Sequence, residues 1–213
     1  MNLASKLEDR SVPSAGSVPD GLYRFIALDV ETSCGDVASI CQIGLACVGM
    51  NNRIEGYSAY VNPQMRFDPF NIQIHGIRRE TVAQSPTFPA VWATLLPLLE
   101  KHRLVQHSNF DKAAISAACA ANGLPSPDLH WSDSVAIAKK AWPEFRGNGG
   151  HGLANLKRTL GLEFNHHDAG EDARAAAQVV LHAEKRLKTT FERIAGAIRP
   201  IQLAFPFFEK SPL

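Results

Sequence analysis

The hydrophobic pattern changes period several times along the chain, and each change marks an element. Residues 23–31, "YRFIALDVE", alternate. Tyr23, Phe25, Ala27, Asp29 and Glu31 fall on one face of a strand, and Arg24, Ile26, Leu28 and Val30 on the other, because successive strand side chains point to opposite sides. Residues 38–50, "ASICQIGLACVGM", and 53–62, "RIEGYSAYVN", read as two further strands joined by a turn at Asn51 and Asn52, which completes a meander. Beyond it the period lengthens. "FPAVWATLLPLLEKH" (88–102) predicts a helix, "RLVQHS" (103–108) a short strand, and "DKAAISAACAANG" (111–123) a helix stopped by Asn122 and Gly123. "HWSDSVAIAKKAW" (130–142) predicts a strand passing into a helix, and "HGLANLKRTLG" (151–161) and "DAGEDARAAAQVVLHAEKRLK" (168–188) two more helices. Three antiparallel strands followed by alternating strands and helices predict an α/β domain, a mixed sheet flanked by helices.

The ends differ in composition. Residues 1–20 are Ser, Pro, Gly and charge, too poor in apolar groups to offset ordering, and predict a flexible tail. Residues 21–190 form the expected domain, and 191–213 a C-terminal extension. Its segment "RPIQLAFPFFEKSPL" carries Phe205, Phe207 and Phe208, a pattern suited to docking on the domain or on a partner.

At 213 residues and 45% hydrophobic, the chain has material for one buried core. A formal charge of +1 excludes a broad basic surface, so any contact with nucleic acid must be local. The four cysteines, Cys34, Cys41, Cys47 and Cys119, form no CxxC pair and have no zinc-like spacing with the histidines; they read as buried reduced thiols. The opening "MNLASKLEDRSVPSAGSVPDG" lacks an apolar signal core, and no run reaches the roughly 18 apolar residues of a membrane span. A cytoplasmic location without membrane contact is expected.

Three acidic elements stand out. Asp29 and Glu31, two apart on a strand, lie roughly 7 Å from each other and repel unless a cation lies between them. Asp168 and Glu171 have the form of a capping box that starts the last long helix and leaves His167 just outside it. On that helix Asp172 joins Ala176, Val179, Val180 and Ala183 on one apolar stripe, where a charge is costly unless paired or bound to metal. Asp111 sits between a short apolar strand and an apolar helix. Each has a plainer reading: a helix N-terminus for Asp172, an N-cap for Asp111, a strand reaching solvent for Asp29 and Glu31. Converging at one end of a sheet, they make a set of hard oxygen ligands suited to Mg²⁺ or Mn²⁺.

"DVET", "FD" and "HHDAGEDA", in that order, resemble the motifs of the DEDDh 3′-to-5′ exonucleases, the superfamily of polymerase proofreading subunits and RNase T. The last carries the His-x-Ala-x-x-Asp pattern as His167, Ala169 and Asp172. "IHGIRRETVAQSPTF", "SDSVAIAK" and "HGLANLKRTLGL" are similar to supporting segments of that family, and the resemblance covers about residues 22–185. "HSNFD" departs from it, with Ser108 after His107, as do Ser134 and Ser33-Cys34, so substrate contacts at His107 and Asn109 are not carried over. The resemblance implies an RNase H-like fold with a five-stranded sheet, and two-metal hydrolysis at the 3′ end of DNA, single-stranded or frayed. Asp29, Glu31, Asp111 and Asp172 would hold two Mg²⁺ or Mn²⁺, and His167 would be the general base, with His166 as its competitor in a shifted register. Thr32, His75, Ile77 and Phe110 would contact substrate, with core packing as the alternative for Phe110. An exoribonuclease or oligoribonuclease is the enzymatic alternative, and a binding module with a decayed site the other. Beyond the nucleic-acid 3′ end, a DNA polymerase or a second copy of the chain is the expected partner.

Overall fold

The structure, a computed structural model, describes residues 17–162 and 167–196. The tail residues 1–16, His166 and the phenylalanines at 205, 207 and 208 lie outside the described residues. Five strands form one mixed sheet: β1 (Tyr23–Thr32), β2 (Ile40–Gly49), β3 (Ile54–Tyr60), β4 (Leu104–Gln106) and β5 (Trp131–Asp133), in the order β3-β2-β1-β4-β5. β1, β2 and β3 pair antiparallel as the expected meander, and β4 and β5 extend the sheet parallel to β1. Asn52 turns the second hairpin in the left-handed region, at φ 63°, where asparagine is tolerated because its short polar side chain bonds locally.

Helices cover both faces. On one side α3 (Phe88–Leu99) and α4 (Phe110–Ala121) bury Trp92, Leu95, Ile115 and Ala118 against Ile26, Leu28 and Val30. On the other, α5 (Ser134–Ala141), α6 (Leu153–Leu160), α7 (Ala169–Leu187) and α8 (Phe191–Ile194) pack on Phe25, Ala27, Ala46 and Val48. Every apolar member of the predicted α7 stripe is buried. Phe191 packs tilted against Phe25 with ring centroids 4.6 Å apart, and both rings are sealed from solvent, a burial worth about 1.5–3 kcal/mol per ring. All four cysteines are buried thiols, as expected. Among the described residues no helix is long and apolar enough to cross a membrane.

Two local differences have physical causes. The alternation in β1 holds from Phe25 onward but breaks at its start, where a register shift lies between Tyr23 and Phe25. Tyr23 therefore packs on the α3 side, beside His102, while Arg24 pairs with Glu184 of α7. A bulge puts consecutive side chains on one face. The second difference is a pair of short helices, α1 (Pro69–His75) and α2 (Arg79–Val82), in the stretch with the His-Gly-Ile motif. Neither has the length to show a period. The signal for α1 was its start, Asp68 followed by Pro69 at the first helical turn, and Gly76 closing it at φ 75°.

Candidate active site

The C-terminal end of β1 is where the acidic elements meet. Asp29 and Glu31 point to the α7 face, opposite Gly44 and Gln42 of β2. Asp111 lies in the first turn of α4, buried, and its Oδ1 accepts the Val30 amide at 3.1 Å. It is not the N-cap, a place taken by Asn109. The bond to Val30 ties α4 to the strand midway between the two β1 acids. Asp172, 4% exposed, sits in the first turn of α7. Its Oδ2 accepts the His167 amide at 2.9 Å. His167 is exposed, in the left-handed conformation at φ 67°. One ligand atom each from Glu31, His167 and Asp172 lies within 4.8 Å of the other two.

The electrostatics mark this as a place short of positive charge. Burial, then the charges of Asp111, Asp172, Glu31 and Asp168, hold the Asp29 carboxyl well above its ordinary range. Burial, then Asp172, Asp111 and Asp168, push Glu31 up to about 8. Burial pushes Asp111 up to about 7, against the Val30 amide, which favours its charged form. Carboxylates this close cannot all ionise unless a cation joins them, and a cluster of carboxylate oxygens beside one imidazole fits a divalent metal ion.

The proposed substrate residues divide by exposure. Thr32 ends β1, and its carbonyl accepts from Asn71 Nδ2 at 2.9 Å and His75 Nε2 at 3.1 Å. His75 Nδ1 accepts the Ile77 amide at 3.0 Å, which assigns the ring proton to Nε2. Burial lowers the His75 pKa, with the Thr32 carbonyl opposing, so the ring is neutral. Ile77 is buried with Cys41 and Val82. Phe110 is 42% exposed at the start of α4, so its ring is not core packing. His107 joins Ser134 Oγ at 2.7 Å and the His151 carbonyl at 3.1 Å, linking the end of β4 to α5 and to the approach of α6.

Sequence reasoning overlooked four residues beside these. Phe70, 71% exposed, and Ile74 follow each other at i and i+4 on α1, next to the ridge of Asn71 and His75 that holds Thr32. Gln42 was overlooked although it is a polar side chain inside the otherwise apolar run of β2, which is the signal that would have found it. Gly44 is the fourth. A Cβ there would stand 2.1 Å from the Ala169 carbonyl, so only glycine lets the start of α7 rest on the strand.

Comparison with known proteins gives the family and the fold. The RNase T family model, described as an exonuclease, matches residues 26–180. The chain is 27% identical over 170 residues to the 3′-5′ exonuclease DinG of Bacillus subtilis, covering 78% of this chain and 18% of that protein. It is also 27% identical over 168 residues to the PolC-type DNA polymerase III of Thermotoga maritima, covering 77% and 12%. The chain thus spans less than a fifth of the length of these curated relatives. Among solved structures it superposes on exonuclease X in complex with 5′ overhanging duplex DNA, with a TM-score of 0.64 and 22% identity over 80% of this chain and 97% of that one. The nuclease domain of 3′hExo, a DEDDh family member bound to rAMP, gives 0.64 and 18% over 78% and 94%. The mixed five-stranded sheet flanked by helices matches the fold of RNase H-like exonuclease neighbours. The chain belongs to the RNase T family of exonucleases.

Proposed function

We propose that the chain hydrolyses the terminal phosphodiester at the 3′ end of DNA, single-stranded or frayed, with two divalent cations. The observation that carries this reading is the meeting of Glu31, His167 and Asp172, one ligand atom of each within 4.8 Å of the others, with Asp29 and Asp111 close enough for their charges to act on the same carboxylates. The four carboxylates would hold the cations, and the raised proton affinities of Asp29, Glu31 and Asp111 express the charge that the cations would balance. When bound, Mg²⁺ or Mn²⁺ supplies Lewis acidity at the scissile phosphate and charge neutralisation as the 3′ oxygen leaves. His167 takes the proton of the attacking water at a ring nitrogen. Its exposure suits that role, because a base that turns over must return its proton to solvent. The Asp172 bond to the His167 amide fixes the backbone that aims the ring.

Phe110 and Phe70 offer rings to the bases of an unpaired strand, a contact that tolerates any sequence. Thr32, held by Asn71 and His75, supports the terminal nucleotide, and Ile77 backs the His75 ring. A single strand is favoured because these contacts reach base faces, which a closed duplex hides. DNA is favoured by the names of the curated relatives DinG and PolC, which also suggest a replication or repair setting with a polymerase partner. Digestion of 5′-labelled single- and double-stranded DNA and RNA with Mg²⁺ tests the reading. Progressive shortening of single-stranded DNA supports it. Preference for RNA moves the chain to the exoribonuclease alternative, and binding without cleavage to the decayed module.

A further inference from the structure

The first turn of α7 carries Asp172, and His167 stands just before it. One buried side chain ties that turn to the strand by hydrogen bonds. Gln42 is 1% exposed and lies across the ladder from Glu31. Its Nε2 donates to Asp168 Oδ2 and to Ser58 Oγ, both at 3.0 Å, and its Oε1 accepts the Ala169 amide at 3.2 Å. The chemistry fixes this orientation, since turning the amide over would set oxygen against a carboxylate and N–H against N–H. Asp168 Oδ1 meanwhile accepts from the amides of Gly170 and Glu171, both at 3.1 Å. Asp168 thus has both oxygens engaged, although it lies near enough to Asp29 and Glu31 to repel their charges. Gly44, one turn of the pleat away, brings the Ala169 backbone into direct contact with β2.

We infer that Gln42 is a positioning residue. It pins Asp168 and Ala169 to β2, and so sets where Asp172 and His167 stand relative to Asp29 and Glu31, while keeping Asp168 Oδ2 from competing as a ligand. The inference rests on the proposed function. Two short stretches on different elements must meet within a few tenths of an ångström for the site to work, and a misplacement of about 1 Å can cost on the order of 10²-fold in rate. No other side chain bonds both Asp168 and Ala169 among the described residues.

The test exploits the polarity of the pair. Gln42→Glu sets two carboxylates face to face, and Asp168→Asn sets two donors face to face. The double variant restores the bonds at the formal charge of the parent, with donor and acceptor exchanged between residue 42 and its side-chain partners at 168 and 58, and with the Ala169, Gly170 and Glu171 amides donating as before. For parent, single and double variants, kcat and KM on a 5′-labelled single strand, Mn²⁺ affinity by calorimetry, and Tm in chelator are measured. The expected result is a fall of about 10- to 100-fold in kcat and weaker Mn²⁺ binding in each single variant, with KM within a few-fold, and recovery of both in the double variant. Single variants whose kcat per folded molecule and Mn²⁺ affinity match the parent, with only Tm lowered, would overturn the inference. Should a single variant fail to fold, the double variant still decides, because a folded double variant as weak as Asp168→Asn in Mn²⁺ binding, or without the parent's kcat, contradicts it. An inactive parent would sink the function reading alone, since the pattern of Mn²⁺ affinities stands without turnover. A parent that neither cleaves nor binds Mn²⁺ overturns both.

Discussion

Replacing Glu31 with Gln in the metal-free protein should stabilise it, and by more as pH rises. Glu31 has an ordinary value of 4.5 and is held up to about 8 in the fold. Between those values the folded chain holds a proton that the unfolded chain has released. Stability from this group is therefore complete below about pH 4.5 and is lost as pH rises through 8. Over three tenfold steps of proton affinity separate the two values, and each is worth about 1.4 kcal/mol, so the loss is on the order of 4–5 kcal/mol. Asp111 contributes to the same repulsion and is not added to it. For a domain of this size about 1 kcal/mol moves Tm by 2–4 °C, so the Tm of Glu31→Gln minus that of the parent should rise by on the order of 10 °C from pH 4.5 to 8 in EDTA. The difference is the readout because His75, which burial keeps neutral, titrates with the opposite sign in both proteins and cancels. Saturating Mg²⁺ should reverse the order at pH 8, where the carboxylates gain a partner. A difference that is flat with pH, or a parent more stable than Glu31→Gln in EDTA at pH 8, would refute the account of an acidic cluster awaiting cations.

Other outcomes follow from the same geometry. His167→Ala should lower the single-turnover rate by about 10²–10⁴-fold and shift its rise to higher pH, with oligonucleotide binding unchanged; a variant within a few-fold of the parent would exclude the base role. Asp172→Asn should abolish cleavage yet leave Tm in chelator the same or higher, whereas a large drop would make Asp172 a structural partner of the His167 amide. Gly44→Ala should destabilise by several kcal/mol and lower Tm, since its Cβ meets backbone 2.1 Å away. Phe110→Ala and Phe70→Ala should each weaken binding of single-stranded DNA by about 1–3 kcal/mol, with no effect on hydrolysis of a p-nitrophenyl ester of thymidine 5′-phosphate in the Phe70 variant.

The parts legible in the sequence are those with a period or a motif. The strand ending in Asp29 and Glu31, and the α7 stripe with Asp172 on its buried face, followed from spacing alone. Asp168 caps α7 as its place three residues before Glu171 implied. The convergence was not legible that way, since it depends on β4 lying parallel beside β1 and on the Asp111 bond to Val30. The order of acidic elements along the chain suggested it, and the family motifs supported it. The contacts between the elements were hidden for the same reason: Gln42 and Gly44 each show as one residue in an apolar strand, and their meaning lies in the helix that comes to rest on them. Tyr23 and Arg24 defeated the alternation because a bulge leaves no mark in composition. Helix α1 escaped because its seven residues turn their apolar side chains, Phe70 and Ile74, to solvent.

The most direct measurement follows a 5′-labelled single-stranded DNA through digestion by the parent and by Asp29→Asn, with Mg²⁺ and with excess EDTA. A ladder that shortens one nucleotide at a time from the 3′ end, in the parent with Mg²⁺ and in no other lane, is the predicted result. Immediate release of the labelled 5′ nucleotide, or cleavage that persists in EDTA or in Asp29→Asn, would contradict the account.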